Sequence, residues 1–242
     1  MTVGEFFHMF KESAKDLFSN SLLFLFGFMI FVYITVLSNI SVFVNRRLTN
    51  SFTMTGWFII FILVLFAGMS YIFSGMLGFS KRILEYKAEW SDFVSYANRF
   101  WWRNFFIILL LGGTGILIGR IAHVLSFVAG KSLGFDLLAA QAFFIIIYFA
   151  GLVGGLIFLT YSNFFLVIKN LSFNRSIRHS ARFVSAHYPQ TLALSVIMFV
   201  VFFVLSWLAG VFGDLIEYTL LIPFFILVLM RFIILSRHSF EE

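Results

Sequence analysis

The chain has no cysteine and only two prolines among its 242 residues. The lack of cysteine excludes disulfides, thiolate nucleophiles, and zinc or iron–sulfur centres that need cysteine ligands. Charged residues are also scarce, at 12% of the chain, whereas they make up about a quarter of a typical soluble domain. So little charge excludes an ordinary water-soluble domain.

Apolar residues, by contrast, are abundant. They make up 61% of the chain, 37 residues are phenylalanine, and the mean hydropathy is +1.00. A particle in water could not bury this much apolar surface, so we expect the surroundings to be lipid. The net charge of +6 suits an anionic membrane leaflet and does not require nucleic acid.

Six apolar segments meet or approach the roughly 20 residues that a helix needs to cross a bilayer. They are apolar on every side, which argues against the alternating pattern of a transmembrane β-barrel. The sequence therefore predicts an all-α polytopic membrane protein with six transmembrane helices: Leu22–Val44, Trp57–Phe79, Phe105–Phe127, Leu138–Ile168, Thr191–Phe212 and Tyr218–Leu235.

The connections between these spans differ in basic charge. Because cytoplasmic loops are enriched in Lys and Arg, the bias predicts a multi-pass protein of the cell membrane with both termini in the cytoplasm. One side carries twelve basic residues (Lys11, Lys15, Lys81, Arg82, Lys87, Arg99, Arg103, Lys169, Arg175, Arg178, Arg182 and Arg237) and the other carries three (Arg46, Arg47 and Lys131).

Each odd-numbered span follows a short segment whose apolar residues share one helical face. Equivalent positions recur at steps of 84 and 83 residues, as in Phe6, Trp90 and Phe173. The spacing predicts three cytoplasmic interfacial amphipathic helices. Each is followed by a polar bend (Ser19–Ser21, Trp102–Asn104 or His187–Gln190). We therefore predict one integral membrane domain, 1–242, made of three hairpin repeats at approximately 1–82, 83–168 and 169–242.

This repeated unit of basic amphipathic helix, polar bend and hairpin resembles the membrane domain associated with glycerophosphodiester phosphodiesterases. It also resembles related small uncharacterised prokaryotic polytopic membrane proteins. The resemblance covers the whole chain and rests on pattern, with no diagnostic motif. It implies a helical membrane module without the hydrolase activity. A weaker resemblance is to the permease half of certain ATP-driven exporters.

Arg120 lies inside the third span, where an arginine either snorkels to the interface or faces a cavity or counter-charge. His123 is one turn further along, and Asp214 and Glu217 are expected in the last outer connection. We predict that Arg120 pairs with one of these acids, and that the four residues form a candidate intramembrane polar site. Arg231, near the end of the sixth span, is expected to snorkel to the cytoplasmic surface.

The third amphipathic segment carries three arginines, Arg175, Arg178 and Arg182. They are candidate contacts for anionic lipid, because basic residues at a membrane surface attract acidic headgroups. The plainer interpretation is that they only set the topology.

Glycines are concentrated in the middle hairpin. Their spacing of four residues lets helix backbones approach closely, although an unwound segment is the alternative. The candidate helix-packing positions are Gly112, Gly115, Gly119, Gly151 and Gly155.

No catalytic residue, metal site or cofactor is predicted, because the chain has no Walker A run, no nucleophile elbow and no paired carboxylate within a span. We predict a non-enzymatic module for lipid handling or for packing against partner membrane proteins or itself. One alternative is a permease subunit of an ATP-driven exporter or another transporter of small molecules or lipids. A second is an intramembrane enzyme that acts on lipid. Membrane lipids are the expected partners, and nucleic acid is not.

Overall fold

The computed structural model describes residues 3–48, 51–134, 136–151, 154 and 157–236. Throughout this part of the chain every element is a helix, so the predicted all-α class is confirmed. The helices are α1 (Val3–Ser19), α2 (Leu22–Asn45), α3 (Ser51–Glu85), α4 (Trp90–Leu133), α5 (Leu137–Gly151), α6 (Ile157–Thr160), α7 (Ser162–Ile168), α8 (Phe173–Ala186), α9 (Tyr188–Ile216), a π segment (Glu217–Leu221) and α10 (Ile222–Leu235).

Within the described residues, five helical stretches are long and apolar enough to cross a membrane. They are Leu22–Asn45, Thr53–Glu85, Trp90–Ser132, Tyr188–Leu205 and Phe212–Leu235.

The fourth predicted span, Leu138–Ile168, is not among these five. Its described residues form the shorter helices α5, α6 and α7, with a turn at Tyr161 between the last two. Gly155 lies outside the described residues.

The bend predicted at Trp102–Asn104 is wrong, because α4 is one continuous helix through these residues. The polar residue that suggested a bend instead makes a contact between helices. Buried Asn104 donates a hydrogen bond to the Ser74 hydroxyl of α3 at 2.9 Å. The amide N–H of Asn104 therefore has its partner on a neighbouring helix, and no proline or glycine interrupts α4 before Gly112.

The other two bends lie at the predicted residues. The first lies between α1 and α2, and the third lies at His187 between α8 and α9. Asn20 donates to the backbone carbonyl of Asp16 at 2.8 Å, and Pro189 occupies the first turn of α9, where a missing N–H costs no helical bond.

The structure divides into two compact units. The first comprises Met1–Phe105 and Met198–Glu242, and the second comprises Phe106–Ile197. In the first unit α10 is the most buried apolar helix, with contacts to α1, α2 and α3.

The amphipathic segments of the first unit bury their apolar faces on protein. Met9 and Leu17 of α1 are buried, and Phe10 lies 5.9 Å from Phe224 of α10 between ring centroids. Likewise Phe93 at the start of α4 stacks on Phe26 of α2, with 4.1 Å between their rings. These faces are therefore covered by neighbouring helices, although the sequence predicted interfacial helices here.

In the second unit, α8 packs on α6 and α7. Its Ser180 hydroxyl donates to the carbonyl of Phe158. Phe183 inserts between Tyr161 and Phe165, with centroid distances of 5.3 and 5.4 Å. The buried face thus combines small serines, which allow close approach, with one large aromatic ring.

Candidate functional site

The arginines of α8 point away from its packed face. Arg175, Arg178 and Arg182 are exposed, whereas Ser176 and Ser180 on the opposite side are fully buried. Three positive charges therefore line one side of a helix whose other side is held by α6 and α7. Such a surface can bind anionic headgroups without rearrangement of the helix.

His179 lies at the edge of this surface. Partial burial, together with the positive charges of Lys169 and Arg182, lowers the pKa of its imidazole below the usual 6.5. The ring is therefore neutral at pH 7, and its centroid lies 6.1 Å from that of Phe165. The α8 surface consequently carries the charge of its three arginines alone.

Arg120 lines a cavity of about 620 Å³ between the C-terminal half of α4 and α5. His123, Phe144 and Tyr148 line the same cavity. Arg120 and His123 are exposed, and the described residues of 106–197 offer neither of them a hydrogen bond or an ion pair. A cation and an imidazole therefore face an open groove.

A second cavity, of about 570 Å³, continues along the same two helices. It shares His123 and Phe144 with the first cavity and reaches Lys131 near the end of α4 and Asp136 immediately before α5. The carboxylate of Asp136 accepts the backbone N–H of Ala139 at 2.7 Å and so caps α5. The two cavities together form one groove along α4 and α5. The acid at its far end is Asp136, whose carboxylate is occupied in capping α5.

Asp214 and Glu217 are predicted in the last outer connection between spans. Asp214 lies within α9 and Glu217 begins the π segment, so the backbone is helical at both positions. Both belong to the first compact unit, whereas Arg120 belongs to the second. The pairing of Arg120 with either acid stays a prediction.

The predicted packing glycines occupy two kinds of environment. At Gly151 an added Cβ would lie 2.6 Å from Ile118 of α4, and at Gly119 it would lie 3.4 Å from the Tyr148 ring. Gly112 and Gly115 line the Arg120 cavity, and Gly119 lines it as well. The absence of a side chain at Gly151 thus allows close packing on α4. The absence of side chains at Gly112 and Gly115 leaves space for a groove.

Sequence reasoning missed the ion pair of Arg231, which was expected to snorkel into solvent. Its guanidinium instead pairs with the carboxylate of Asp16 on α1. The two residues are 215 positions apart. The only local sign of a partner for Arg231 was the acid Asp16 in the amphipathic helix α1.

Among the described residues, no group of three or more His, Cys, Asp or Glu could hold a metal ion. No family model matches the chain, and no curated protein or solved structure shows significant similarity to it.

Proposed function

We propose that this chain is a non-enzymatic, multi-pass module of the cell membrane that binds anionic lipid through α8. The observation that carries the proposal is the exposed arginine face of α8 (Arg175, Arg178 and Arg182) opposite a buried serine and phenylalanine face. Membrane residence is supported by five long apolar helices and by their exposed apolar side chains, such as Phe58 and Ile60.

The proposal includes six spans in three hairpin repeats, with both termini in the cytoplasm. Burial in the three amphipathic segments supports the repeat. Positions related by steps of 84 and 83 residues are equally buried: Met9, Phe93 and Ser176 form one set, and Ser13, Ala97 and Ser180 form another. Small residues at all three positions of the second set indicate a shared close contact.

Replacing Arg175, Arg178 and Arg182 together by Gln tests the lipid proposal. Each charge near an anionic surface contributes about 1 kcal/mol, so we expect the affinity for anionic lipid to fall by up to about 100-fold. The readout is retention of phosphatidylglycerol by the purified full-length protein in nanodiscs of phosphatidylcholine. Thermal unfolding should be unchanged, because all three side chains are exposed.

The matched control removes three positive charges elsewhere, by replacing Lys11, Lys15 and Lys87 with Gln. These side chains are also exposed and are predicted on the same side of the membrane. If this control loses as much phosphatidylglycerol as the α8 variant, net charge explains binding and the α8 site is wrong.

The proposed orientation predicts different labelling at the two ends of α4. The chain has no cysteine, so single cysteines can be introduced at the exposed positions Ser91 and Ser132. An impermeant maleimide should label Ser132→Cys in intact cells, and Ser91→Cys only after lysis, because basic loops stay in the cytoplasm. Labelling of Ser91→Cys in intact cells would reverse the proposed topology.

A further inference from the structure

The groove between α4 and α5 combines three features in one place. Arg120 and His123 face it without a partner among the described residues of their unit. Gly112 and Gly115 line its inner part. Its two connected cavities, of about 620 and 570 Å³, fall within the usual size of ligand sites.

The depth of Arg120 restricts what can neutralise it. At 1.5 Å per residue, Arg120 lies about 16 Å along α4 from Lys131, the basic residue near the helix end. A guanidinium at this level is within reach of hydrocarbon, where charged side chains face a cavity or an opposite charge. An anion that enters from the membrane would match this charge.

The inner part of the groove suits an acyl chain. From Arg120 to Gly112 it extends about 12 Å along the helix, close to the roughly 15 Å depth of one leaflet. Its wall is formed by Ile116, Phe144 and Tyr148, and its floor has no side chain at the glycines. An apolar chain can lie there in contact with both helices.

We infer that this groove binds one membrane phospholipid, with its phosphate on Arg120 and His123 and an acyl chain along Gly112 and Gly115. Arg presents several N–H donors to phosphate oxygens, and such charge-assisted bonds are strong. Asp136 does not oppose the phosphate, because it lies at the other end of the groove near Lys131 and caps α5. The site goes beyond the α8 surface and is separate from it.

The test is photocrosslinking of the full-length protein in phosphatidylcholine nanodiscs containing a trace of phosphatidylglycerol with a diazirine in its acyl chain. We expect labelling concentrated in peptides of α4 and α5 that carry Ile116 and Phe144. Combined Arg120→Gln and His123→Gln should reduce this labelling about tenfold, the loss typical of a charge-assisted contact. Gly115→Leu should reduce it similarly by filling the groove.

Two matched controls are available on the same helix. Gly113→Leu adds the same side chain where a Cβ meets nothing within 4 Å, and Arg99→Gln removes an exposed arginine outside the groove. Both should leave labelling unchanged. The α8 triple variant should also leave it unchanged, so failure of this site and failure of the α8 proposal are seen separately.

Three results would overturn the phospholipid site. The first is labelling spread evenly over lipid-facing helices and insensitive to Arg120→Gln. The second is a result that removes the phospholipid headgroup from the explanation: either a diacylglycerol probe labels the groove equally, or inorganic phosphate suppresses labelling by the phosphatidylglycerol probe. The third is energetic coupling of Arg120 to Asp214 or Glu217 in a double-mutant cycle, which would assign the guanidinium to an ion pair.

Discussion

Gly27→Ala is expected to destabilise the protein by about 3 kcal/mol or more, a large effect for one methyl group. A Cβ at this position of α2 would lie 2.3 Å from the carbonyl oxygen of Tyr218 and 2.8 Å from the Cα of Thr219. Both are backbone atoms of the π segment, so no side-chain rotation can relieve the overlap. Unfolding of the purified protein in detergent, by heat or by added denaturant, measures the loss.

The π segment explains why Gly27 meets backbone atoms of Tyr218 and Thr219. The N–H of Ile222 donates to the carbonyl of Glu217, five residues earlier, and Pro223 has no N–H to donate to Tyr218. The carbonyl of Tyr218 therefore receives no bond from residue 223, and it lies against Gly27. Only a glycine gives this carbonyl room, because any Cβ would occupy its position.

Gly56→Ala in α3 is the matched control. A Cβ there meets nothing within 4 Å, and alanine has the higher helix propensity, so this change should be neutral or stabilise by up to about 1 kcal/mol. Equal losses at Gly27 and Gly56 would show that the π segment does not pack on α2 as described.

The second large effect concerns the ion pair between Arg231 and Asp16. Their side chains are only 25% and 23% exposed, intermediate between surface pairs worth up to about 1 kcal/mol and buried pairs whose disruption costs about 3–5 kcal/mol. We therefore expect Arg231→Gln or Asp16→Asn to lower the free energy of unfolding by about 2 kcal/mol. The double variant should lose less than the sum of the two.

Exchanging the charges with Asp16→Arg and Arg231→Asp together should recover part of this loss. The control is Arg82→Gln, which breaks the 3.4 Å pair with Asp92, where Arg82 is 40% exposed. That change should cost less than about 1 kcal/mol. Strictly additive losses for Arg231 and Asp16 would contradict a direct pair between α1 and α10.

The fate of the two arginines within spans shows where sequence reasoning stops. An arginine in an apolar run was correctly expected to need a partner or a path to water. For Arg231 the partner is Asp16, a residue at the other end of the chain, on a helix that was predicted to be interfacial. For Arg120 the structure gives a groove, and the predicted acids lie on helical backbone of the other unit.

The bends also separate what the sequence predicts from what neighbouring helices decide. Asn20 and His187 both follow the last turn of an amphipathic helix, and each side chain meets the carbonyl four residues earlier. Asn104 stands at the corresponding place in the second segment, yet α4 continues through it. The difference is that Ser74 of α3 supplies the partner for Asn104, and no local pattern records that neighbour.

The sequence by itself determined the helical class, most of the apolar spans, two of the three bends and the exposed arginines of α8. These depend on hydropathy, helical periodicity and residues close together in the chain, which are local properties. The tertiary structure decided that the apolar faces of α1 and early α4 meet protein, that Gly27 faces the backbone of the π segment, and that Arg231 joins Asp16. Each of these depends on which helices become neighbours, because a polar group or a missing side chain has its effect only through the atoms packed against it.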